Sequence, residues 1–71
     1  MYRYLPVESE ASSPYIGKYR TFGLRVLQED EELMIMPDVS TDFAFTLHLA
    51  SLFTRKQLSP LHLLDVLEDM L

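Results

Sequence analysis

His62, Asp65 and Asp69 stand at i, i+3 and i+7, a spacing that brings three side chains onto one face of a helix. One imidazole and two carboxylates so arranged are the nitrogen and oxygen ligands that a divalent transition metal takes. The spacing is loose for that chemistry, because i and i+7 lie two turns apart and no second loop supplies further ligands. A histidine followed three residues later by an aspartate is also an ordinary surface pair on a helix. The expectation is a solvated polar face made by His62, Asp65, Glu68 and Asp69, with no metal and no other cofactor. His48, on the narrow polar strip of the preceding helix, reads as a surface or interface histidine with no visible partner.

Nucleophilic chemistry finds less support still. Ser40 and Ser59 read as helix caps, and Ser12 and Ser13 as loop residues. Gly17 and Gly23 are the only glycines, so no glycine-rich loop can cradle a phosphate. A chain of 71 residues leaves little room for the ~300 Å³ pocket a small ligand needs. The expectation is a protein without enzymatic activity.

The acidic end of the chain is the feature that needs explaining. Glu68 and Asp69 fall in the last turn of a helix, where the macrodipole favours cations, and each costs a few tenths of a kcal/mol there. Lys18, Tyr19, Arg20 or Arg25 from the first half could answer them, within the chain or across a dimer.

These residues must be held by two halves of different periodicity. In YRTFGLRVL (19–27), Phe22, Leu24 and Val26 alternate with Thr21, Gly23 and Arg25, the pattern of a half-buried strand. The polar QEDEE (28–32) precedes LMIMP (33–37), a second strand, and together they predict an antiparallel hairpin. The turn lacks Asn-Gly or Asp-Gly, so a loop longer than the tight two-residue form is expected. YRYLPVES (2–9) is a candidate third strand that Pro6 confines to an edge, with ASSPYIG (11–17) as the connecting loop. If Leu33 and Ile35 face the core, Met34 and Met36 face outward, and exposed methionines suit an adaptable contact surface.

From Asp38 the period becomes helical. Ser40 is the expected N-cap, Asp42 lies in the first turn, and Arg55 and Lys56 complement the far end. Phe43, Phe45, Leu47, Leu49, Ala50, Leu52 and Phe53 cover most of this helix's circumference, more than one neighbour can bury. The closing helix has Ser59 as N-cap, Pro60 at its first position and a Leu58–Leu63 staple. Its apolar face is Leu63, Leu64, Val66, Leu67, Met70 and Leu71. The short RKQL connection folds it back as a helical hairpin. The fold class is α+β: a two- or three-stranded antiparallel sheet followed by a two-helix hairpin packed on one face. One domain spans 1–71, with a strand half (1–37) and a helical half (38–71).

Composition bounds the function. The chain has no cysteine, and its net charge is −5. Residues 1–28 set four cations against two acids, whereas 29–71 set two against nine. An acidic chain repels phosphate backbones, so nucleic acid is not an expected partner. No apolar run approaches the ~18 residues of a membrane span, and without a signal-like start a cytoplasmic location is the default. A domain this small is marginal alone and gains from self-association or a partner.

GKYRTFG (17–23), DVSTD (38–42) and LSPLHLLDVLEDML (58–71), in this order and spacing, resemble a family of short bacterial proteins of unknown function. The resemblance covers most of the chain from residue 17 onward, and none is identified for the first sixteen residues. It implies a self-contained domain ending at Leu71 and carries no activity with it. The function expected is a small non-catalytic protein-protein interaction or regulatory module, self-associating as a homodimer. Tyr19, Leu27, Met34, Met36, Phe45, Leu52 and Phe53 are its interface candidates. The alternative is an acidic, antitoxin-like inhibitor that occupies a basic site on a target, and a metal-dependent enzyme subunit comes third.

Overall fold

The structure, a computed structural model, describes residues 1–70. Three strands, β1 (Tyr2–Ser13), β2 (Gly17–Gln28) and β3 (Glu31–Ser40), precede helix α1 (Phe43–Lys56), a 3₁₀ turn (Pro60–His62) and helix α2 (Leu63–Met70). The strands form one antiparallel meander in the order β1-β2-β3. β1 is therefore an edge strand, as Pro6 requires.

β1 and β2 pair along their whole length, from Tyr2 opposite Gln28 to Ser13 opposite Gly17, but β3 pairs only from Phe22 onward. The far part of the first hairpin is thus a two-stranded ribbon. Twelve residues at about 3.3 Å each account for the 39 Å long axis. The expected loop over 11–17 shrinks to Pro14–Ile16, closed by Gly17 at φ 77°. Ser13 Oγ accepts from the Tyr15 N–H at 3.2 Å, so the hydroxyl does work in the turn that a further backbone bond would otherwise do.

The second hairpin departs from expectation. Glu29 and Asp30 form a two-residue turn with both φ values positive, at 49° and 68°, the type I′ signature. No glycine is present to lower the strain. Two exposed ion pairs lie on the turn: the N-terminal ammonium donates to Glu29 Oε1, and Arg3 pairs with Asp30 at 3.5 Å. That ammonium, by its hydrogen bond first and its charge second, holds the Glu29 carboxyl below the usual range.

Register in β3 is set by two irregularities. Val26 faces Met34 while Leu27 faces Glu32, leaving Leu33 as an extra residue. Without it, Leu33 would oppose Val26 and Ile35 would oppose Leu24, both on the core side. One inserted residue flips the following side chains to the other face. Met34 and Met36 therefore pack against the core, and Leu33 and Ile35 are exposed, the reverse of the sequence expectation. The second irregularity places Pro37, Asp38 and Val39 opposite Gly23 alone. A Cβ on Gly23 would lie 2.3 Å from the Met36 carbonyl oxygen, so only glycine fits beneath this bulge. Asp38 takes φ 54° there. β3 runs past Pro37 to Ser40, so the strand half ends three residues later than its composition suggests.

Asp42, not Ser40, caps α1: its Oδ1 accepts from the Phe45 N–H at 3.2 Å. Ser40 ends β3 and accepts from the Asp42 N–H at 3.0 Å. α1 lies on β1 and β2. The core beneath it is Tyr4, Leu24, Val26, Leu49, Ala50 and Phe53, joined by Leu63 and Leu67 from α2. Tyr4 and Phe53 meet edge to face at 5.5 Å. The Tyr4 hydroxyl donates to the Leu58 carbonyl at 2.7 Å, tying the sheet to the interhelical connection. Burial, and then the neighbouring Tyr2, push its phenol up to about 12. The closing segment begins as its residues predict, with Ser59 Oγ accepting from the Leu61 N–H at 3.4 Å, although its first turn is 3₁₀. The expected place of Leu71 on the apolar face lies outside the described residues.

Candidate functional site

The two edges of the sheet have different fates, and the bonding at β1 decides which groups each exposes. Gln57 Oε1 accepts from the Tyr2 N–H at 2.8 Å, and Gln57 Nε2 donates to the Tyr2 carbonyl at 2.9 Å. Thr54 Oγ1 accepts from the Tyr4 N–H at 2.8 Å. Its own proton has two carbonyls in range, Ala50 at 2.8 Å and Tyr4 at 3.3 Å. Side chains of α1 thus fill the places a fourth strand would take, and the next outward position is Pro6, which has no N–H. Gln57 can reach because it ends α1 in the left-handed region, at φ 52°.

The backbone groups of Tyr2 and Tyr4 point away from β2, so by alternation Arg3 and Leu5 bond to Leu27 and Arg25. Val26 and Leu24 must then bond to Met34 and Met36, which leaves the N–H and C=O of Ile35 directed outward from the sheet. No side chain among the described residues takes the role at Ile35 that Thr54 and Gln57 take at β1. Leu33 and Ile35 are 49% and 45% exposed. An apolar strand edge with free backbone groups is a template for pairing with another chain.

The interface candidates are dispersed by this arrangement. Met34, Met36, Phe45 and Leu52 are partly buried against the core, and Phe53 lies within it. Leu27 is buried on the sheet face opposite α1, outside the core cluster. Tyr19 alone is on the open ribbon, its hydroxyl donating to Asp38 Oδ2 at 3.3 Å. Partial desolvation, followed by the charge and hydrogen bond of Asp38, raises its phenol. Thr21 donates to the other oxygen of Asp38 at 2.8 Å. Apolar surface is presented instead by Met1, by Tyr15 and Ile16 at the ribbon tip, by Leu33 and Ile35 on β3, by Phe43 and Leu47 on α1, and by Leu61, Leu64 and Met70 in the closing segment. Gly23 and Pro37 signal the second bulge, since both residue types mark irregularities within strands, but neither marks the Leu33 insertion that turns Leu33 and Ile35 outward.

His62, Asp65, Glu68 and Asp69 are all exposed, and among the described residues no three His, Asp or Glu side chains gather at metal-binding geometry. The cations expected to answer the acidic helix end are engaged elsewhere. Lys18 pairs with Glu10 at 3.8 Å, Arg20 with Glu8 at 2.8 Å and Arg25 with Glu32 at 2.7 Å. Beside that helix end an open groove of about 420 Å³ separates β3 from α2, lined by Met36, Pro37, Asp38, Val39, Leu64, Leu67 and Glu68.

No helix among the described residues is long and apolar enough to cross a membrane. No curated protein and no solved structure matches the chain. A family match extends over residues 1–71, taking in the first sixteen residues along with the three motifs. On that full-length match, the chain belongs to the family of unknown function DUF6514.

Proposed function

We propose that this protein is a non-catalytic interaction module that self-associates by pairing β3 of one copy with β3 of a second. The observation that carries the reading is the contrast between edges: α1 side chains close β1, and β3 keeps the outward N–H and C=O of Ile35 between half-exposed apolar side chains. Antiparallel pairing about a two-fold axis at Ile35 lets that residue exchange both backbone bonds with its own copy. The result is a six-stranded sheet, with β-strand addition supplying the affinity and the Leu33 and Ile35 side chains the apolar contact. For a domain this small the added burial is also a source of stability.

Sedimentation at roughly tens of micromolar tests this reading. The expected species has twice the 8.3 kDa chain mass, and Ile35→Lys, which places a charge on the edge, returns it to the monomer with an unchanged circular dichroism spectrum. A wild-type monomer, or a dimer indifferent to Ile35→Lys, overturns it.

A further inference from the structure

We infer that the groove between β3 and α2 is a docking site for a protein segment that carries a large apolar side chain flanked by Lys or Arg. The groove lies beyond the free edge at Ile35, so this binding is a second property and does not depend on self-association. Its wall is apolar, made by Met36, Pro37 and Val39 on one side and Leu64 and Leu67 on the other. Leu64 belongs to the closing helix's apolar face, yet it is 55% exposed and lines the groove. At about 420 Å³ the space suits one or two large side chains, within the ~300–1,000 Å³ range of ligand sites.

Charge selects the occupant. The lining includes Asp38 and Glu68 and no cation. The two segments that form it, 36–39 and 63–70, carry Asp38, Asp65, Glu68 and Asp69 and no Lys or Arg. None of these four carboxylates has an ion-pair partner among the described residues, whereas Arg3, Lys18, Arg20 and Arg25 are each paired elsewhere. Asp38 accepts from the Tyr19 and Thr21 hydroxyls, which leave its charge in place. An acidic segment would meet repulsion here, and a neutral apolar one would leave the charges of Asp38 and Glu68 without a counter-ion. A basic apolar segment satisfies both wall and rim, and its cations also offset the unfavourable placement of Glu68 and Asp69 at the negative end of α2.

The test uses the full chain and three short fluorescein-labelled synthetic peptides of equal length, read by fluorescence anisotropy. One combines Leu and Phe with Lys and Arg, the second replaces the cations with Glu, and the third replaces the apolar residues with Ser. The expected result is saturable binding of the first alone, weakening with salt. Leu64→Asp and Glu68→Lys should each lower its affinity by about tenfold or more. Both positions are exposed, and an acid near the start of α2 or a cation near its end suits the dipole, so neither change threatens folding. The monomeric Ile35→Lys variant should bind the first peptide as the wild type does, which separates this inference from the proposed dimer. Equal binding of the acidic peptide, binding insensitive to Leu64→Asp, or no binding at all overturns it. So does binding seen only after Tyr15→Ser and Ile16→Ser, because the exposed ribbon tip of a second copy would then be the natural occupant.

Discussion

Along β1 the outward groups of Tyr2 and Tyr4 meet Gln57 and Thr54, and at Pro6 there is no donor to meet. Along β3 the corresponding groups of Ile35 face outward beside two half-exposed aliphatic side chains. Both edges belong to one short sheet and carry apolar residues, so composition does not separate them. Position relative to α1 does. The helix ends over β1, and the polar side chains of its last turn have the length to substitute for a strand. β3 also packs against α1, but no side chain of that helix reaches the outward groups of Ile35, and α2 stands across the groove from Met36–Val39. The proposed self-association rests on this contrast, in which three successive devices close one edge and the other keeps its outward backbone groups.

The β3 side is broken most severely at Gly23. Gly23→Ala puts a methyl group 2.3 Å from the Met36 carbonyl oxygen and 2.9 Å from Pro37 Cα. Both are backbone atoms that cannot swing aside. The bulge must open and Met36 must leave the core, so the expected loss is about 3 kcal/mol or more. A domain of this size has only about 4–10 kcal/mol in total. Urea denaturation measures the loss, and an unchanged midpoint would mean that the bulge relocates at no cost.

Thr54→Val attacks the other edge with an isosteric change. The Tyr4 N–H loses its acceptor in a partly buried setting, at an expected cost of about 1–2 kcal/mol. The comparison makes a second forecast: with its cap gone, β1 becomes pairable too, and sedimentation should show species larger than the dimer. A variant with wild-type stability and only the wild-type species would mean that Pro6 and Gln57 close the edge without help.

How much of this was legible in the sequence differs element by element. The closing segment begins where Leu58-Ser59-Pro60 says it does, because the cap, the first-turn proline and the staple are all local. The start of α1 was misjudged by two residues because Ser40 and Asp42 are equally good caps. The decision between them is tertiary: pairing with Phe22 keeps Ser40 in the strand. The facing of β3 could not be read from Leu33-Met34-Ile35-Met36, since four apolar residues in a row carry no alternation, and one extra residue at Leu33 reversed it. The edge caps were out of reach for a different reason. Thr54 and Gln57 lie about fifty residues from their partners, and nothing local marks a helix-end threonine or glutamine as a strand substitute. The groove is half legible: the acids Glu68 and Asp69 at a helix end stand out in the sequence, but the helical period places Leu64 on the buried face.

The β2–β3 turn offers the smallest change and the finest check on these ideas, because it lies at the far end of the open strand from the groove. Glu29 and Asp30 adopt left-handed φ without glycine, so each residue strains against its own Cβ. Replacing the pair with Asn-Gly supplies the residues that a type I′ turn favours. It also removes two exposed ion pairs, Glu29 with the N-terminus and Arg3 with Asp30, of a kind that contributes little in water. The expected balance is a stabilisation of about 1 kcal/mol, seen as a higher urea midpoint, with the dimer unchanged because the register beyond Leu33 is untouched. If the variant is instead less stable, and more so at low salt, the ion pairs rather than the backbone hold this turn. The free edge of β3 would then be anchored at its start by the chain's own N-terminus.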